Sequence, residues 1–240
     1  MMPTREGALQ LFRIAGINVY VHWTWFLAAV YFINERKPEY LSPIFAIADY
    51  LILFLIIMMH EFGHALSCRQ VGGSAHDIIL HPLGGVAYVD PPHRPGAYLW
   101  SIAAGPLVNA ALVPILWGLK AYAAAQYFPG ASPNYIMAVR PIWPDPYTLI
   151  YYIYVTNWVL LIFNLLPVYP MDGGRILQSL LWYRVGYRRA LLAATTVGFV
   201  GCAALGALAV YNDSIWLGIL TFFFFMNCRV AWLQARSLNY

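Results

Sequence analysis

The chain has 240 residues, 61% of them hydrophobic and only 10% charged, against roughly a quarter charged in an ordinary soluble domain. A soluble protein of this length has no interior large enough to hide so much apolar surface. The formal charge of +4 is small, and with no Lys/Arg block of the kind that tracks a phosphate backbone, nucleic acid is excluded as a partner.

What is left is a protein whose solvent is the lipid bilayer. Its 9 Trp and 18 Tyr suit helix ends seated among headgroups. The amino terminus lacks a short apolar core followed by a small-residue cleavage site, so no removable signal peptide is expected. Six apolar segments then succeed one another, at about Ile17–Ile33, Ile44–Cys68, Tyr98–Leu119, Tyr147–Leu166, Ala190–Tyr211 and Ile215–Leu233. Each is near the ~20 residues a helix needs to cross the hydrocarbon core, and a helix satisfies its own backbone there. The expected fold class is an all-α polytopic membrane protein: six transmembrane helices in one domain over residues 1–240, with no separate soluble domain.

Between the second and third segments, Val71–Pro95 is too polar and too broken to cross. Ile78–His81 and Val86–Val89 flank Pro82-Leu83-Gly84-Gly85, which predicts a short membrane-associated β-hairpin. The basic residues divide unevenly. Arg5, Arg13, Arg69, Arg94, Arg175, Arg184, Arg188, Arg189, Arg229 and Arg236 fall on one side, and Arg36, Lys37, Lys120 and Arg140 on the other. The positive-inside rule then predicts that both termini are cytoplasmic. The second and fourth segments would both run from outside to inside. Cys68, Cys202 and Cys228 are too scattered for a disulfide framework and read as free thiols.

His60-Glu61-Phe62-Gly63-His64 ends the second segment as an H-E-x-x-H run. Two histidines four apart project from one helix face and can share a zinc ion. The intervening glutamate can take a proton from water on the ion and return it to a leaving amine. Intramembrane ionisable residues are costly and by default functional, and three stand together here. Catalytic zinc takes three protein ligands and keeps the fourth position for water, so one ligand is missing. His22, His76, His81, His93, Asp49, Asp172 and Cys68 are the candidates.

At about 1.5 Å per residue, His60 lies roughly 24 Å below Ile44, near the cytoplasmic end of its segment. Asp49 sits at the opposite face and drops out. Cys68 continues the i, i+4, i+8 stripe, but one helix does not easily wrap three such residues around an ion, and a small packing residue is the simpler reading. His76, His81 and His93 stay in the set as loop histidines. Asp172 follows the fourth segment on the correct side, in Asn164-Leu-Leu-Pro167-Val-Tyr-Pro170-Met-Asp172-Gly173-Gly174-Arg175. Its prolines and glycines break the helix, which a membrane tolerates where backbone is buried or lines a wet cavity.

With these motifs the chain resembles the site-2 protease family of intramembrane zinc metalloproteases (peptidase M50-like). The resemblance rests on His60–His64, Asn164–Gly173, Pro82-Leu83-Gly84-Gly85-Val86-Ala87 and Ala104-Gly105-Pro106-Leu107-Val108-Asn109. It is extended by Gly16-Ile17 and Val21-His22-Trp23 at the start, and covers Gly16 to about Ala190. It implies His60, His64 and Asp172 as ligands of one zinc ion per chain, with Glu61 as general base and acid. It also implies Asn109 as a helper at the tetrahedral oxyanion, and assigns no role to Asn164 or Arg175. The implied activity is hydrolysis of peptide bonds in transmembrane substrate proteins, on the cytoplasmic side of the bilayer. Many relatives carry a regulatory or PDZ domain, and in its place a membrane regulatory partner or the hairpin would exert control.

Rival readings are weaker. A catalytically inactive relative that only binds metal or membrane partners would not need Glu61. A membrane di-iron oxygenase needs several histidine boxes, and a transporter needs a polar pathway through several segments or a repeat.

Overall fold

Two short strands open the chain where the first membrane span is expected. The computed structural model describes residues 7–82, 84–139 and 143–237; Arg5 and Arg140 of the charge count, and Leu83 of the hairpin turn, lie outside them. Strand β1 (Ala8–Ile14) pairs antiparallel with β2 (Ile17–His22) through a two-residue turn at Ala15-Gly16. Both turn residues have positive φ, 49° and 73°, the geometry whose twist matches flanking strands. In β2, Ile17, Val19 and Val21 alternate with Asn18, Tyr20 and His22, and the first set is buried. This two-residue period is a strand's, and it corrects the reading of Ile17–Ile33 as one helix.

Helix α1 (Thr24–Arg36) supplies the rest of that segment with 13 residues, about 20 Å of helix against a hydrocarbon core of ~30 Å. A 3₁₀ turn at Lys37–Glu39 leads to α2 (Pro43–Gln70), then β3 (Ser74–His81), β4 (Gly84–Asp90) and α3 (Pro95–Tyr127). The chain continues through α4 (Pro133–Ala138), α5 (Asp145–Leu165), α6 (Asp172–Val185), α7 (Tyr187–Tyr211) and α8 (Ile215–Ser237). Among the described residues five helices, α2, α3, α5, α7 and α8, are long and apolar enough to cross a membrane, against six expected.

The expected hairpin is β3–β4, but it belongs to a four-stranded sheet of order β1-β2-β3-β4. Strand β2 pairs parallel with β3, Val19 opposite Ile78 and Val21 opposite Leu80. A parallel pair needs a crossover connection, and α1 with α2 is that crossover. Residues 23–42 must therefore run back beside α2 before α2 returns to the sheet.

The buried face of the sheet, Ile17, Val19, Val21, Ile78 and Leu80, packs with Trp25 and Ala65 against Tyr50, Phe54, Ile57, Met58 and Phe62 of α2. Trp25 sits edge-on to Tyr50 and Phe54, and the Tyr50 hydroxyl donates to the Trp25 carbonyl at 2.7 Å. The sheet thus lies along α2 over much of its length, and this places β4 against the histidine-bearing turn. At the far end of the molecule the Asp145 carboxylate accepts from the Leu41 and Ser42 amides at 2.7 and 2.8 Å, tying the start of α5 to the approach of α2.

Candidate active site

Helix α2 carries His60, Glu61 and His64 on its inner turns, each 6% exposed. Helix α6 begins with Asp172, delivered there by the broken stretch after α5. Three potential ligand atoms converge. His60 Nε2 lies 3.0 Å and His64 Nε2 3.3 Å from Asp172 Oδ2, and the two ring nitrogens are 3.1 Å apart. Of the candidates named from the sequence, His60, His64 and Asp172 come together in one group.

The backs of the two imidazoles are held by acceptors. His64 Nδ1 faces the Ser101 carbonyl at 2.9 Å, and His60 Nδ1 faces Asn109 Oδ1 at 2.6 Å. A carbonyl oxygen only accepts, so Nδ1 of each ring carries the proton and Nε2 of a neutral ring is a bare lone pair. Two bare nitrogens and a carboxylate oxygen in mutual contact repel one another unless a cation sits among them. Ligands about 2.0–2.1 Å from a tetrahedral zinc stand about 3.3 Å apart, close to the three separations here. The donor set and its spacing fit zinc.

Gly105 of α3 shapes the floor. A Cβ there would lie 2.3 Å from His64 Nε2 and 2.8 Å from His60 Nε2, so any side chain would enter the space between the ligands. Gly105→Ala is expected to lower zinc content sharply in the purified protein while leaving helical content unchanged. Metal analysis beside far-ultraviolet circular dichroism checks this, and an Ala variant with full zinc would show that α3 can retreat.

Glu61, between the two histidines in the chain, reaches the sheet. Its Oε2 accepts from the Ala87 amide of β4 at 2.9 Å. A Cβ on Gly85 would fall 2.3 Å from Glu61 Cγ, so the β4 backbone lies directly on this side chain. Strand β4 is an edge of the sheet, and the edge amide of Ala87 is turned to the glutamate.

The remaining candidates lie elsewhere. Asp49 accepts from the Tyr40 hydroxyl at 3.1 Å beside Arg36. Cys68 is a buried free thiol donating to the Ser74 carbonyl. His22 and His81 pack ring on ring with centroids 4.8 Å apart; burial, and then the neighbouring His22, push the His81 pKa below the ordinary imidazole range. His93 packs against Trp182 and Tyr187, and His76 sits in β3, its carbonyl facing the Asn18 amide.

Asn109 reaches the site from an unexpected direction. Nδ1 lies across the imidazole from Nε2, so Asn109 stands behind His60, on the side away from His64 and Asp172. Its Oδ1 faces His60 and its Nδ2 donates to Asn157 Oδ1 at 2.9 Å. That geometry orients a ligand and does not present a donor to an oxyanion. Arg175 lies one turn beyond Asp172 on α6. Asn164 lies in the last turn of α5, half-buried. Ser101 and Asn157 escaped the sequence reading. Ser101 acts through its backbone, which no residue type announces, whereas Asn157 was legible as an amide in the middle of a mostly apolar span.

Residues 48–205 match the model of peptidase family M50. The zinc metalloprotease MJ0392 of Methanocaldococcus jannaschii is 31% identical over 191 residues, which are 80% of this chain and 50% of that protein. The chain thus spans about half the length of that curated relative. The solved structure of the site-2 protease from Methanocaldococcus jannaschii superposes with a TM-score of 0.62 at 27% identity, covering 97% of both chains. The matched region contains His60, His64 and Asp172 together with every residue that supports them, and on this evidence of sequence, fold and site the chain, an integral membrane protein, belongs to peptidase family M50.

Proposed function

We propose that the protein is an intramembrane zinc metalloprotease that hydrolyses peptide bonds of transmembrane substrate proteins. The observation that carries this reading is the meeting of His60 Nε2, His64 Nε2 and Asp172 Oδ2 beside a buried glutamate. His60, His64 and Asp172 would hold one zinc ion, which supplies Lewis acidity for the scissile carbonyl and lowers the pKa of water towards ~7. Glu61 is the proton carrier. With Oε2 committed to the Ala87 amide, Oε1 is the atom that accepts the proton from water and hands it to the leaving amine. Asn109 and the Ser101 carbonyl keep the two imidazoles aimed.

A helix conceals its carbonyls, so the substrate must enter locally unwound. The outer edge of β4 supplies main-chain partners for such a segment, and Ala87 would bring it within reach of Glu61. The test is co-expression of the intact chain and Glu61→Gln with a tagged transmembrane substrate, read as appearance of the cleaved fragment.

We also propose that both termini face the cytoplasm and that the site opens towards that side, supported by the ten-to-four division of Lys and Arg. The parallel β2–β3 pairing agrees, because it keeps the amino-terminal strands at the end of α2 that leads into the hairpin. Reporter fusions after Tyr240 and within residues 34–43 should report opposite sides. A cytoplasmic signal from residues 34–43 would invert the topology.

A further inference from the structure

We infer that Asn157, on α5, is a positioning residue for the metal centre: acting through Asn109, it locks His60 with its proton on Nδ1 and its lone pair on Nε2. The inference rests on reading His60, His64 and Asp172 as a metal site, and it adds to that site a residue from a fourth helix, after α2, α3 and α6.

The hydrogen-bond relay starts at one backbone carbonyl. Asn157 Nδ2 donates to the Asn109 carbonyl at 3.0 Å, and a carbonyl oxygen cannot donate, so the nitrogen end of the Asn157 amide must face it. The oxygen end of Asn157 is thereby turned to the Asn109 side chain and accepts from Asn109 Nδ2 at 2.9 Å. That donation fixes the Asn109 amide in turn, leaving Oδ1 at 2.6 Å from His60 Nδ1. An oxygen there requires a hydrogen on Nδ1. The polarity of the chain is thus set by a group that cannot change its own.

Both asparagines are 0% exposed, so no solvent is at hand to satisfy a flipped amide, and a buried donor left unpaired is costly. Without Asn157 the Asn109 amide is free to rotate by half a turn. It would then offer Nδ2 to His60 Nδ1, the imidazole proton would move to Nε2, and that proton would occupy the direction of the metal. His64 needs no such device, because its Nδ1 meets the Ser101 backbone carbonyl directly.

The experiment compares intact protein with Asn157→Leu, Asn157→Asp and Thr148→Val in detergent. Zinc affinity is read by competition with a chromophoric chelator, and ligand geometry by the visible spectrum of the cobalt-loaded protein. Asn157→Leu keeps the bulk and removes both hydrogen bonds; the expected result is a zinc Kd raised about 10–100-fold, the usual cost of losing a partner that orients a ligand, with an altered cobalt band. Asn157→Asp, kept neutral by burial, preserves the polarity with its O–H facing the Asn109 carbonyl, and is expected to stay near the intact value. Thr148→Val removes a buried hydroxyl on the same helix that bonds the Pro144 carbonyl, away from the asparagine pair, and should leave both readouts unchanged. If Asn157→Leu does not fold, Asn157→Ala carries the same expectation. A Leu or Ala variant with the intact Kd and spectrum overturns the inference. Intact protein that takes up no zinc would overturn the metal reading beneath it.

Discussion

Glu61→Gln should silence cleavage while zinc and fold persist. Glu61 Oε2 accepts from the Ala87 amide, and a glutamine oxygen can take over that bond with its NH₂ standing where Oε1 was. Size, burial and the link to β4 are kept, and the one property lost is the capacity to take a proton at neutral pH. General acid–base catalysis is typically worth about 10²–10⁴-fold, so cleaved fragment should fall by at least that lower figure. Zinc per chain, measured on the same purified variant, should match the intact protein. Zinc lost together with activity would recast Glu61 as structural. Cleavage at the intact rate would sink the proteolytic mechanism, since the other carboxylate beside the paired histidines, Asp172, is taken up as a ligand.

Asp172→Ala should have the larger effect on the metal. Its Oδ2 is the atom that closes the triangle with the two Nε2 atoms, at 3.0 and 3.3 Å. Removing it leaves two imidazoles on one helix face, too few for the three protein ligands of a catalytic zinc site. The loss in zinc affinity should exceed the roughly 10–100-fold that follows removal of a partner behind a ligand, and cleavage should drop to background. The comparison with Asn157→Leu is informative because the two act on one ion from different distances. Zinc titration of Asp172→Ala provides the check; a variant that binds zinc and cleaves normally would mean that another residue completes the set.

The sequence by itself determined the solvent and named the residues that meet at the candidate site. Composition demanded a bilayer, five of the expected spans recur as α2, α3, α5, α7 and α8, and His60, Glu61 and His64 were legible because a helix places residues four apart on one face. Asp172 was legible as a carboxylate on a break that a membrane does not tolerate idly. What only the tertiary structure decided is whatever depends on pairing between distant segments. Ile17–Ile33 looked like one apolar helix because β2, apolar where it is buried in the protein, and α1, apolar on its exposed faces, read alike as hydrophobic. Its division into β2 and α1 follows from β2 lying parallel to β3, nearly sixty residues away. The same holds inside the site. Asn109 was visible as a polar residue in a span, but its position behind His60 depends on how α3 packs on α2 and α5. A motif names donors and acceptors, whereas which face of a ring each one meets is set by the packing of the helices that carry them.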